Sequence, residues 1–129
     1  MAIYTIGAVS NLDPTLALIS TFVQLRITNT TAARLEPIVV NAYSITDAGP
    51  EGLVETLYFT TTFAIAAPRG VVTLVIPTTV ANYTITVSSP GAAGFVSDIS
   101  LYAAGRDVNG FTVPEQTFPF GDWKEITTV

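Results

Sequence analysis

The chain has 129 residues, 49% of them hydrophobic and only 12% charged, with a net charge of −5, a mean hydropathy of +0.51 and a pI near 4.3. That length suits one ordinary domain; the acidic balance lacks the basic footprint of a nucleic-acid binder, and no run approaches the roughly 18 apolar residues of a membrane helix. With no Cys and no His, disulfides, thiolate nucleophiles, Cys-type zinc sites and the commonest general base are excluded, and the question becomes what covers so much uncharged surface.

Thr, Val and Ile dominate, and β-branched side chains favour a pleated sheet over a helix. Met1-Ala2-Ile3-Tyr4 has neither the basic region nor the apolar core of a secretory leader, so the expectation is synthesis and folding in a cytoplasm. Residues 3–9 form a short β-prone run, and residues 1–9 carry no charged side chain. Ser10-Asn11-Leu12-Asp13-Pro14 then reads as a polar break. The strongest strand is Phe22 to Thr28, where Val23, Leu25 and Ile27 alternate with Gln24, Arg26 and Thr28. Asn29 to Arg34 reads as a polar hairpin loop, and Ile38 to Ile45 as the returning strand, with Pro37 at its start.

Asp47 to Gly52 is a loop by composition. Glu55 to Ala66 is a long strand centred on Thr60-Thr61-Thr62, and Ala67-Pro68-Arg69-Gly70 a tight turn into Val71 to Ile76. Further strands are expected over 82–87, 95–103 and 111–118, with a loop over 88–94 and an Asn-Gly turn at Gly105 to Gly110. A tail with Trp123 and Ile126 closes the chain. Gly and Pro punctuation every 8 to 15 residues or so predicts an all-β fold: a single antiparallel β-sandwich, jelly-roll-like, of about eight strands. Residues 1–14 are expected to form an extended N-terminal arm and residues 15–129 the sandwich domain.

Catalytic chemistry finds little support. Nothing resembles Ser-x-x-Lys around the single lysine, Lys124, and the acids mostly fall in loops. Asp98 stands apart inside an apolar strand, where it must face solvent, a partner chain or a hydrogen bond. Together with Glu115 it is the best carboxylate candidate, yet a structural role fits it better. Asp107-Val108-Asn109-Gly110 resembles only the opening of a calcium loop and reads as a β-turn. Asn29-Thr30-Thr31 and Asn82-Tyr83-Thr84 match the glycosylation acceptor pattern, which arises by chance in a Thr-rich chain. The chain reads as neither an enzyme nor a cofactor carrier.

Assembly accounts for the missing charge. An apolar arm either pairs in its own sheet or adds to the open edge of a neighbouring copy, and head-to-tail contacts that do not close make a filament. Ile3, Tyr4, Ile6 and Val9 are the expected residues of such a donated strand. Tyr102, Phe120 and Trp123 are candidate interface or ligand aromatics. An alternative function is a carbohydrate- or receptor-binding sandwich, lectin-like or capsid-associated, stacking sugars on exposed aromatics such as Trp123.

Several motifs carry a resemblance. They are a Val-x-Leu-x-Ile strand ending in Asn-x-Thr, the strand Val39-Val40-Asn41-Ala42-Tyr43, and the turn Phe63-Ala64-Ile65-Ala66-Ala67-Pro68-Arg69-Gly70. Tyr83-Thr84-Ile85-Thr86-Val87, Gly105-Arg106-Asp107-Val108-Asn109-Gly110, Pro114-Glu115-Gln116 and Glu125-Ile126 follow. In these the stretch from Phe22 to Ile126 resembles small β-sandwich proteins of the spore surface and of endospore appendages in spore-forming bacteria. The resemblance implies a homopolymer at a spore or cell surface, extracellular after assembly in the mother cell, built by N-terminal strand donation. The cysteines that cross-link the appendage subunits are absent, so strand addition and packing alone would hold such a fibre.

Overall fold

The computed structural model describes residues 2–47, 49–91 and 98–126, and its elements are strands joined by turns and two short 3-10 turns. In order the strands are β1 (Ala2–Thr5), β2 (Val9–Ser10), β3 (Phe22–Asn29), β4 (Leu35–Asp47), β5 (Leu53–Ile65), β6 (Val71–Pro77), β7 (Asn82–Ser89), β8 (Ile99–Arg106), β9 (Thr112–Phe118) and β10 (Lys124–Ile126). They form two antiparallel sheets, a six-stranded one in the order β10-β1-β7-β4-β5 with β2 beside β7, and a four-stranded one in the order β6-β3-β8-β9. The fold is the expected all-β sandwich, with ten strands among the described residues. The expected strand start at Phe95 falls in residues 92–97, outside the described residues, as do residues 127–129.

Alternation decides which side chains meet between the sheets. Val23, Leu25 and Ile27 of β3 are fully buried, as are Ile38 and Val40 of β4 and Ile85 and Val87 of β7, and all belong to one apolar core. A fully buried aliphatic side chain of this size contributes about 1.5–3 kcal/mol, so the core dominates the stability.

The ends of the sandwich are closed by polar side chains. At the end where β3 begins, Asn11 is fully buried. Its Nδ2 donates to the carbonyls of Ser20 (3.0 Å), Thr78 (2.6 Å) and Val80 (3.2 Å). Its Oδ1 accepts from the Ser20 N–H (2.8 Å), the Ser20 hydroxyl (2.9 Å) and Gln116 Nε2 (2.9 Å). Gln116 Oε1 in turn accepts from the Tyr83 hydroxyl at 2.7 Å. Burial pushes the Tyr83 phenol above its ordinary pKa, which keeps it the neutral donor this bond needs. Gly105 leaves the space for Gln116, since a Cβ there would stand 2.8 Å from Oε1.

At the opposite end Asn29 plays the matching part. Its Nδ2 donates to the carbonyls of Ala33 (2.8 Å) and Ala66 (3.3 Å), and its Oδ1 accepts from the N–H and hydroxyl of Thr31. The β5–β6 turn packs so tightly there that a Cβ on Gly70 would stand 2.3 Å from the Ala66 carbonyl oxygen. Replacing Gly70 by Ala is expected to cost about 2 kcal/mol, as overpacking does. Gly121→Ala, with nothing within 4 Å of its Cβ, serves as the neutral control in urea denaturation.

Candidate assembly surface

Residues 2–10 are part of their own sandwich. β1 pairs with β7 through Ile3↔Ser88, Tyr4↔Val87 and Thr5↔Thr86, and with β10 through Ile3↔Ile126 and Thr5↔Lys124. Ala2 and Tyr4 therefore point into the core and Ile3 to the outer face. The Tyr4 ring meets Phe120 edge-on, with centroids 5.7 Å apart. Val9 is buried in β2 and Ile6 is half-buried against the core. Of the four residues expected in a donated strand, Tyr4 and Val9 thus fill this chain's own interior. Donation to a neighbour would require these contacts to be exchanged between copies. The polar break expected to detach the arm contains Asn11, the most heavily hydrogen-bonded side chain of that end.

The aromatic candidates separate. Trp123, expected as an exposed platform, is only 7% exposed. A 3-10 turn at Phe120–Asp122 folds the chain back, and the indole Nε1 donates to the Phe118 carbonyl at 3.1 Å. Phe120 is half-buried against Tyr4. Tyr102 is exposed, on the outer face of the four-stranded sheet opposite Arg26. A sugar-stacking surface built on these three keeps one ring.

The polar candidates are absorbed into local structure. Asp98 is buried; its Oδ1 accepts from the Ser89 hydroxyl (2.7 Å) and its Oδ2 from the Gly91 N–H (2.8 Å). Glu115 is exposed on β9. In the Asn-Gly turn, Asp107 Oδ1 accepts from the N–H groups of Asn109 and Phe111, and Gly110 takes a φ of 81°. The described residues hold no group of three or more carboxylates that would suit a metal ion. Asn29, the first acceptor-pattern asparagine, has its amide committed to main-chain carbonyls, whereas Asn82 opens β7.

The sheet edges differ sharply from one side to the other. On one side β10 covers three described residues, Lys124–Ile126, two of them charged, and β9 contains Pro114 and a register shift opposite β8. Short strands, charge, proline and irregular register are the usual means of blocking an edge. On the other side lie β5 and β6, tied together where the Tyr58 hydroxyl donates to the Pro77 carbonyl at 2.6 Å. β5 runs for 13 residues and β6 for 7, and Glu55 is their one charged side chain. Tyr58 is the extra residue of a bulge in β5, since Ala42 faces Phe59 and Tyr43 faces Leu57. Beyond it, Phe59 to Ile65 is an uncharged seven-residue edge with Thr60-Thr61-Thr62 at its middle. Both strands follow from local composition and the turn at Ala67 to Gly70, but their place at the edge does not, because which strand lies outermost depends on pairings distant in sequence. No protein-family model, curated protein or solved structure matches the chain.

Proposed function

We propose that this chain is a self-assembling structural subunit whose copies join edge to edge through β5 and β6. The observation that carries the reading is the contrast between the two sides. The β9/β10 side has the features that hinder strand addition, and the β5/β6 side presents long, almost uncharged strands with an outer row of backbone groups that no described strand pairs. Strand addition satisfies those groups and covers Val71 and Val75, which are exposed on β6. A second copy offering the same side suits the site better than one offering its blocked side, so the contact is isologous. Such a contact closes as a two-fold pair, and the setting we assign is an extracellular filament or spore-surface layer in which a second contact joins the pairs, in keeping with the resemblance of Phe22 to Ile126; we assign the chain no enzymatic step.

Placing lysines at Thr62 and Val75, both exposed on the two edges, tests the reading. The parent chain is expected to sediment as dimers or larger species, and the Thr62→Lys/Val75→Lys chain is expected to lose that lateral contact with its thermal transition unchanged. A parent chain that stays monomeric at high concentration would overturn it.

A further inference from the structure

The register of the sheets sorts the loops between two ends. β3 begins at Phe22, opposite Pro77 of β6 and Arg106 of β8, so segments 11–21, 78–81 and 107–111 leave the sandwich at one end. β4 reaches the same end, because Ser44 pairs with Tyr83 near the start of β7, and the 3-10 turn Gly49–Glu51 lies beyond it. The four most exposed large hydrophobic residues described all belong to this end: Val108 (81%), Leu16 (78%), Leu53 (71%) and Phe111 (69%).

Leu16, Val108 and Phe111 are held outward by ordered turns. Asp13 Oδ1 accepts from the Thr15 N–H, the Thr15 hydroxyl and the Ala17 N–H, and Leu16 stands between them with a φ of 65°. For a leucine that left-handed backbone is unfavourable by about 1–2 kcal/mol. The same end is acidic, with Asp13, Asp47, Glu51 and Asp107 against Arg106, whose guanidinium is taken up by Gln24 Oε1 and the Gly110 carbonyl.

At the opposite end Arg34 is taken up by Glu36 at 3.4 Å and Asp98 is buried against Ser89 and Gly91, which leaves Arg69 as the cation this end offers a partner. Among the described residues Arg69 is the other non-glycine residue with positive φ, at 55°. It projects from the β5–β6 turn and lines a hollow of about 240 Å³ with Thr28, Asn29 and Thr30. A guanidinium beside threonines suits a carboxylate, because charge-assisted hydrogen bonds to arginine are the strong ones.

We propose that these two ends are the halves of one contact between copies of this chain, with the apolar, acidic end of one copy seated on the Arg69 end of the next and Glu51 entering the hollow. Opposite charge selects a second copy as the occupant, and the exposed Leu, Val and Phe side chains supply the burial. The contact joins unlike surfaces at opposite ends of the sandwich, and an arrangement of this kind that does not close into a ring extends a row of subunits. This rests on the reading that the chain self-assembles, but uses surfaces separate from the β5/β6 edges.

Charge exchange on the full chain tests it. Arg69→Glu and Glu51→Arg are each expected to raise the concentration needed for high-mass assembly about tenfold, the equivalent of about 1.4 kcal/mol, and the double exchange to restore it. Phe111→Ser with Leu16→Ser is expected to act in the same direction. Singles that weaken assembly without restoration by the double exchange would overturn the pairing, as would parent-like assembly in every variant. The same exchanges in the Thr62→Lys/Val75→Lys chain separate the two readings. Single-file rows sensitive to Arg69→Glu support the end contact even where the lateral one fails. Lateral dimers of unchanged mass in all end variants leave the lateral contact standing and remove this one.

Discussion

Asn11→Ala is expected to lower the thermal unfolding midpoint by about 15 °C, from a loss of about 4 kcal/mol at roughly 4 °C per kcal/mol for a domain of this size. The substitution removes a side chain that donates to three carbonyls and accepts from three donors. It strands buried groups of Ser20, Thr78, Val80 and Gln116, and each unsatisfied buried group costs about 1–3 kcal/mol. Water entering the space recovers part of this, so the total falls below the simple sum. Asn11→Asp separates hydrogen bonding from volume, because a carboxylate of the same shape cannot donate to the three carbonyls. Scanning calorimetry of both variants is the measurement, and an Asn11→Asp midpoint equal to the parent's would show that the donor bonds contribute nothing.

The same network gives a pH dependence. Burial raises the Tyr83 pKa in the folded chain, so the unfolded chain ionises first as pH climbs. The stability this phenol contributes is complete below its unfolded value of about 10 and declines above it. Unfolding midpoints followed from neutral to alkaline pH should fall, and Tyr83→Phe should flatten that fall.

Removing residues 2–10 is expected to abolish the cooperative transition and not to release soluble native monomers. Those residues bury Ala2, Tyr4 and Val9, cover one flank of β7 and supply the pairing of β10. Losing this burial costs about 5 kcal/mol, a large part of the 5–15 kcal/mol that holds an ordinary domain folded. A peptide of residues 2–10 added to the truncated chain should restore the transition if β1 docks as the structure shows. The truncated chain unfolding at the parent's temperature would show instead that the segment is an appendage of a self-sufficient domain.

Much of the architecture was legible in single residues. The alternation of Val23, Leu25 and Ile27 with polar neighbours is a local signal of period two, and those three side chains are in the core. Gly110 in the Asn-Gly turn and the turn before Gly70 were legible for the same reason, since backbone conformation there is set within four or five residues. Asn11 reads as part of a polar break because a lone asparagine near Asp and Pro has the composition of a surface loop. Its partners at Ser20, Thr78, Val80 and Gln116 are up to 105 residues away. Trp123 misled in the opposite sense, since its burial follows from a turn that returns it to the Phe118 carbonyl.

The sequence by itself determined that this protein is an all-β sandwich, poor in charge and without thiol or imidazole side chains, because side-chain alternation, turn residues and composition are local properties. Only the tertiary structure decided that β1 pairs within its own sheet, that β5 and β6 are edge strands on one side and that Leu16, Leu53, Val108 and Phe111 share one end. Those outcomes depend on which strands pair, and pairing is set by contacts between residues tens of positions apart, where no periodicity in the chain records the partner.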